Sequence, residues 1–259
     1  MVMRLDDIII SKAIIDSYVR KLLNCLEVDV AIAGAGPAGL TAGYFIAKGG
    51  KKVAIFERHL SAGGGMWGGG MMFNEIVVQE EGKLILDEFG IRTNLYEPGY
   101  YTADSIEAVS SIISATMKAG AQIFNLITVE DVMLQNNRVT GLVLNWGPAM
   151  TARVHVDPLT IRAKFVIEAT GHETEVLKVM EKKIGKKFQT PSGGIEGERP
   201  MWAEIGEKLI LGNTKEIFPG IWVVGMAANA AYGAPRMGPV FGGMLVSGKH
   251  CAQKILKKI

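Results

Sequence analysis

Two of the chain's four histidines, His155 and His172, lie with Asp157 in the stretch VHVDPLTIRAKFVIEATGHE at 154–173, which otherwise reads as buried sheet. Imidazole and carboxylate are metal-ligand types. A set of them that leaves coordination positions open suits Fe(II) better than a closed zinc site. If residues 153–157 are extended, His155 and Asp157 share a face because side chains alternate along a strand. Pro158 biases Asp157 toward that backbone. His172 follows FVIEATG, just past the carboxyl end of a strand, where ligands gather in open α/β sheets. Spacing alone leaves a second reading open, a surface His–Asp pair with His172 capping a helix.

The motif GAGPAG at 34–39 follows the apolar run DVAIAG and opens a helix-like stretch. Glu57 ends the next strand at the spacing of the dinucleotide fingerprint, about 20 residues on. Gly34 permits the tight turn, Gly36 lets backbone approach a pyrophosphate, and Gly39 allows close helix–strand packing. The helix N-terminus offers unpaired N–H groups to the anion. Glu57 can accept from the adenosine ribose hydroxyls, and its charge repels a 2′-phosphate, which favours NAD or FAD over NADP. Arg236 is the only charge in a long apolar, glycine-rich stretch. Its planar fork suits a carboxylate; an internal ion pair is the alternative.

These residues need a scaffold. At 259 residues and 48% hydrophobic, the chain can bury one sizeable α/β core. The expected fold is Rossmann-like, of the two-domain flavoprotein (glutathione reductase-like) type. We expect a single dinucleotide-binding domain over 1–259, with an inserted or second β-containing lobe at about 75–165. Residues 8–26 carry Ile10, Ile14, Val19, Leu22, Leu23 and Leu26 at helical spacing, which predicts a leading helix packed on the body. DVAIAG, 37–48 and KKVAIFE read as a βαβ unit. Helices are expected around KLILDEFG and DSIEAVSSIISATMKAG, with strands at AQIFNLITVEDVMLQ, RVTGLVLN and KFVIEATG. The charge-rich stretch 174–219 reads as surface helix and loop with a solvated face. FPGIWVVGMAANAAYGAPRMGPVFGGMLVSGKH reads as strand, long loop and glycine-rich helix.

The near-balanced charge, net +2, implies no broad nucleic-acid face. Cys25 and Cys251 are far apart and outside any CxxC spacing, which fits a reducing, cytoplasmic setting and small buried thiols. The first residues make a poor signal peptide. The uncharged run at 30–47 is interrupted by glycines and Pro37, so it reads as strand–turn–helix rather than a membrane span.

FPGIWVVG is similar to the last flavin-binding strand of two-domain flavoproteins, where an Asp follows the Gly. Here Met226 follows Gly225, which argues against flavin. GAGPAG, Glu57–Arg58, GGGMWGGGMMFN at 63–74, HVDPLTI at 155–161, ATGHE at 169–173 and GMAANAAYGAPRMGPVFGGMLVSGK at 225–249 stand in order. Together they make the chain resemble a thiamine thiazole synthase along nearly its whole length. The resemblance implies that NAD is a substrate: nicotinamide is expelled, the ADP-ribose opens, glycine condenses with it, and sulfur is added to give an adenylated thiazole carboxylate.

In the eukaryotic branch a cysteine of the enzyme donates the sulfur at the position held here by His155. This chain therefore resembles the archaeal, sulfide-using branch. Carried over by position, as the resemblance implies, Asp157 and His172 bind iron from adjacent subunits of a homo-oligomer, an octamer by resemblance. Ala35, Glu57, Arg58, Gly65, Val129, His155, Val156, Asp157 and Met226 contact the nucleotide, and Arg236 holds the glycine carboxylate. His155, Asp157 and His172 are the expected catalytic set, with His155 beside the metal rather than on it. Met66 and Trp67 read as loop packing. A flavin-dependent oxidoreductase and a non-enzymatic NAD-binding module are the alternatives. The latter has no need for Asp157, His172 and Arg236 to converge.

Overall fold

A computed structural model describes residues 5–259; residues 1–4 of the N-terminal stretch read above lie outside them. The chain opens with α1 (Asp7–Asn24), β1 (Glu27–Ala33), α2 (Pro37–Lys48) and β2 (Val53–Glu57). Then come β3 (Glu75–Val78), α3 (Glu80–Glu88), β4 (Asn94–Glu97), β5 (Tyr100–Asp104), α4 (Ser105–Lys118) and β6 (Gln122–Asn125). A hairpin of β7 (Ile127–Gln135) and β8 (Arg138–Trp146) leads through α5 (Gly147–Thr151) to β9 (Leu159–Glu168). The last part holds α6 (Glu175–Ile184), α7 (Ala203–Asn213), β10 (Glu216–Phe218), β11 (Ile221–Val223), α8 (Gly225–Ala231) and α9 (Gly242–Leu256).

β6, β2, β1, β9 and β11 lie side by side and parallel, with β10 antiparallel at the edge. From β1 the chain steps outward to β2 and β6, then returns to the other side of β1 for β9 and β11. The order reverses between β1 and β9, and in such sheets ligands sit at that crevice, beyond the carboxyl ends of the strands. The two strands end in the Gly34 turn and the His172 loop, so topology brings both motifs to one place.

Alternation along the strands builds two cores. Val30, Ile32 and Ile55 face α2, α4 and α9, while Ala31, Ala33, Ala54 and Phe56 face the β7–β8 hairpin and α6. This is the period-2 consequence of strand geometry. The first half of β9 pairs antiparallel with β8 and the second half parallel with β1 and β11. One strand thus fastens the hairpin to the nucleotide-binding sheet. A separate antiparallel sheet, β3–β5–β4, stands on the far side against α3.

Several local expectations are corrected. Residues 154–158 are not a strand: they form an irregular segment after α5, and Arg153 turns with φ 54°. The strand starts at Leu159, past Pro158, whose missing N–H bars it from the ladder. AQIFNLITVEDVMLQ is two strands, broken at Leu126 (φ 58°). GMAANAA is the helix α8 rather than loop. Helix α1 forms, with Asp6 accepting from the Ile8 and Ile9 N–H groups at 2.9 and 3.0 Å, the usual N-cap arrangement. As expected, its C-terminal half rests on the body through Tyr18 and Leu22, but the rest of its apolar face is uncovered in this chain: Ile8, Ile14 and Leu23 are 63%, 65% and 60% exposed. Periodicity creates the face, but nothing local supplies its cover.

Candidate functional site

At the switch point lies a cavity of about 1240 Å³. The Gly34 turn forms one wall. Gly34 sits at φ 97°, and a Cβ there would lie 2.5 Å from the Ala169 carbonyl oxygen, so the β1 and β9 loops meet only because this residue is glycine. A Cβ on Gly36 would meet nothing within 4 Å, which leaves backbone open toward the cavity. Gly39 is buried against the Gly34 carbonyl, in its helix–strand packing role. The glycine-rich loop rests on this turn, with the Gly63 N–H donating to the Ala35 carbonyl at 2.7 Å. Gly65 lines the cavity. Met66 is buried in the core and Trp67 Nε1 donates to the Ala62 carbonyl at 2.6 Å, both packing roles as expected.

Glu57 is buried at the end of β2. Its Oε2 accepts from the Ala35 N–H at 2.9 Å, and its Oε1 lies 2.9 Å from both the His59 N–H nitrogen and His59 Nδ1. Ala35 is therefore beneath the turn, linked to the carboxylate rather than facing the cavity. Arg58 lines the cavity at the rim, its guanidinium paired with Glu175. Val129 of β7 and Met226, in the first turn of α8, complete this side.

Across the cavity, Glu168 ends β9 fully buried. Its Oε1 accepts from the Thr170 N–H at 2.7 Å, and its Oε2 from those of Val176 and Leu177 at 2.8 and 3.3 Å. One carboxylate thus fixes the turn that carries His172 and caps the start of α6. Burial pushes the Glu168 carboxyl above the usual range, against the pull of these donors. His172 projects into the cavity, 43% exposed, with Nδ1 2.6 Å from Glu198 Oε1. Glu198 reaches it from the charged stretch read above as a solvated face. That stretch is tied to the Arg236 loop: the Arg199 N–H donates to the Ala234 carbonyl at 3.1 Å, the Arg236 N–H to that of Arg199 at 3.1 Å, and the Trp202 N–H to that of Arg236 at 3.0 Å. Arg236 lines the cavity, and among the described residues its guanidinium makes no hydrogen bond or ion pair.

The remaining expected residues stand apart. His155, Val156 and Asp157 are exposed and do not line the cavity of their own chain. Their segment is held by buried Asn145, whose Nδ2 donates to the Val156 carbonyl at 3.1 Å and to Glu130 Oε2 at 3.0 Å. Among the described residues of one chain, no three His, Cys, Asp or Glu side chains are grouped to hold a metal ion. Cys25 and Cys251 are buried away from the cavity, and burial pushes both thiols up. His59 and Glu198 are cavity residues outside the motif reading. His59 stands two residues past Glu57, and that proximity was its only sequence signal. No described helix is long and apolar enough to cross a membrane.

The Thi4 family model matches residues 11–241. The thiamine thiazole synthase of Methanothermobacter thermautotrophicus is 59% identical over 99% of this chain and 100% of its own length. That of Pyrococcus furiosus is 57% identical over 98% and 99%. The crystal structure of Thermovibrio ammonificans THI4 superposes with a TM-score of 0.95 at 53% identity, covering 99% of both chains. A geranylgeranyl bacteriochlorophyll reductase-like protein of Thermoplasma acidophilum shares the fold alone, with a TM-score of 0.55 at 15% identity over 89% of this chain and 78% of that one. With a dinucleotide turn, a histidine loop and Arg236 facing one cavity, and with relatives of this identity along its whole length, the chain belongs to the Thi4 family and is an enzyme of thiamine thiazole biosynthesis.

Proposed function

We propose that this enzyme builds the adenylated thiazole carboxylate from NAD, glycine and free sulfide, with Fe(II) bound, and releases nicotinamide. One observation carries the reading: a dinucleotide turn, an imidazole and an arginine without a protein partner line the same cavity. The NAD pyrophosphate lies over Gly34 and Gly36 at the start of α2, where backbone N–H groups and the helix dipole favour an anion. Glu57 takes the adenosine ribose hydroxyls, and Arg58, Gly65, Val129 and Met226 complete the nucleotide contacts, with Ala35 and Gly39 shaping the turn. Arg236 holds the glycine carboxylate through two parallel hydrogen bonds. His155, which reaches the cavity of a neighbouring copy on the same segment as Asp157, moves protons beside the reacting atoms, a task suited to imidazole near neutral pH.

The donor set fits Fe(II). His172 Nδ1 is already engaged, Asp157 is an exposed carboxylate, and two protein ligands leave positions for substrate. A bound Fe(II) supplies Lewis-acid polarisation of carbonyl oxygens. Because Asp157 does not line its own chain's cavity, it serves the cavity of a neighbouring copy. The exposed apolar face of α1 supports such an assembly, an octamer by resemblance, with sites shared between subunits. Sulfide is a substrate in this reading, since His155 stands at the sulfur-donor position and both thiols are buried away from the cavity. The two-domain flavoprotein type is supported by the strand order, and of the lobe expected at about 75–165 the separate sheet β3–β5–β4 is the part that stands off the main sheet, which β6 to β9 join. Buried free thiols suit a cytoplasmic setting.

The test is anaerobic incubation of the protein with NAD, glycine, sulfide and Fe(II), read by mass spectrometry. The adenylated thiazole carboxylate and nicotinamide are expected together. Chelator-stripped protein, Asp157→Ala and His172→Ala should form no adenylated thiazole. Full product formation by metal-free protein would overturn the metal assignment.

A further inference from the structure

Glu198 lies 26 positions from His172, in a stretch whose composition reads as solvent-facing. Its carboxylate nevertheless turns into the cavity, 19% exposed, with Oε1 2.6 Å from His172 Nδ1. An ionised carboxylate only accepts hydrogen bonds. Nδ1 therefore carries the proton in this pair, and in the neutral imidazole the lone pair resides on Nε2. Backbone bonds hold Glu198 in place from both sides: the Gly197 N–H donates to the Ala230 carbonyl at 3.0 Å and the Arg199 N–H to that of Ala234 at 3.1 Å. Glu168 holds the opposite partner by fixing the turn on which His172 sits. The imidazole is thus restrained in position by one carboxylate and in tautomer and ring orientation by another.

We infer that Glu198 is a positioning residue for the metal site: it accepts the Nδ1 proton of His172 and so presents Nε2 as the donor to a divalent cation. The inference rests on the reading of His172 as a metal ligand. Carboxylates that accept from the second nitrogen of a ligating histidine orient the ring and raise its basicity, and their loss weakens metal binding roughly 10–100-fold. The segment that carries Glu198 also pairs with the Arg236 loop. Metal ligand and glycine-carboxylate group are therefore set relative to one another by a single stretch of backbone.

The experiment measures Fe(II) affinity anaerobically, by competition with a chromophoric chelator, in the full-length protein and in Glu198→Ala, Glu198→Gln and His172→Ala. NAD affinity and the thermal midpoint are recorded for each. Glu198→Ala should bind Fe(II) roughly 10–100-fold more weakly, with NAD affinity and midpoint unchanged. Glu198→Gln should fall within a few-fold of the unaltered protein, because its amide oxygen still accepts the Nδ1 proton. If Glu198→Ala binds Fe(II) normally while His172→Ala does not, or if the glutamine variant is as impaired as the alanine one, the positioning role fails and the metal assignment stands. If His172→Ala itself binds Fe(II) normally, the underlying metal reading fails.

Discussion

Arg236 faces the cavity with its guanidinium uncommitted, while Arg58 is paired with Glu175 at the rim. The two arginines should therefore respond differently to removal. Arg236→Ala deletes a charge-assisted clamp worth about 1.5–3 kcal/mol, so the glycine concentration for half-maximal rate should rise roughly 10–100-fold. NAD affinity should hardly change, because the Gly34 turn is untouched. Lysine should rescue in part, offering a point charge without the planar fork. Steady-state kinetics with each substrate varied in turn decides it; equal changes in NAD and glycine dependence would remove the assigned role. Arg236 was legible in the sequence because a charge amid small apolar residues needs a reason. Glu198 was not: it is one carboxylate in a run of charges, and only folding reveals that it turns inward to His172.

Among the elements, α2 carries the most. It opens at the dinucleotide turn and packs along its length against α9, close enough that a Cβ on Gly248 would lie 2.4 Å from the Ala38 carbonyl oxygen. Gly248→Ala should improve helix propensity by about 1 kcal/mol and cost about 1–3 kcal/mol in overpacking against rigid backbone. A net loss of stability in denaturant titration is expected, together with weaker NAD binding as α2 shifts. A gain in stability with unchanged NAD affinity would show that the α2–α9 spacing is not limiting. The βαβ unit, α3, α4 and β8 were legible because long apolar periodicities and glycine punctuation coincide there. The segment 154–158 and helix α8 were not. The first alternates like a strand but ends at Pro158, which cannot join the ladder; the second is a short run of small residues whose helicity comes from its buried place beneath the cavity.

At the scale of the molecule, the parallel core with its order reversing between β1 and β9 could be anticipated from the fingerprint and the later strands. The exposed face of α1 could not, since periodicity says which side is apolar and not what covers it. Under the proposed function, one chain supplies the nucleotide turn, His172 and Arg236, and a neighbouring copy supplies Asp157, so assembly and catalysis are linked. In the proposed function the sulfur comes from free sulfide and not from the chain. Cys25 and Cys251 are buried away from the cavity, and burial pushes both thiols up, whereas the thiolate is the nucleophile. The most direct measurement is therefore product formed per enzyme chain as sulfide is varied, with NAD, glycine and Fe(II) in excess and the intact mass of the chain determined before and after. The account predicts many products per chain, a rate that depends on sulfide, and an unchanged mass. Product that stops at about one per chain without added sulfide, with a cysteine recovered as dehydroalanine, would contradict it.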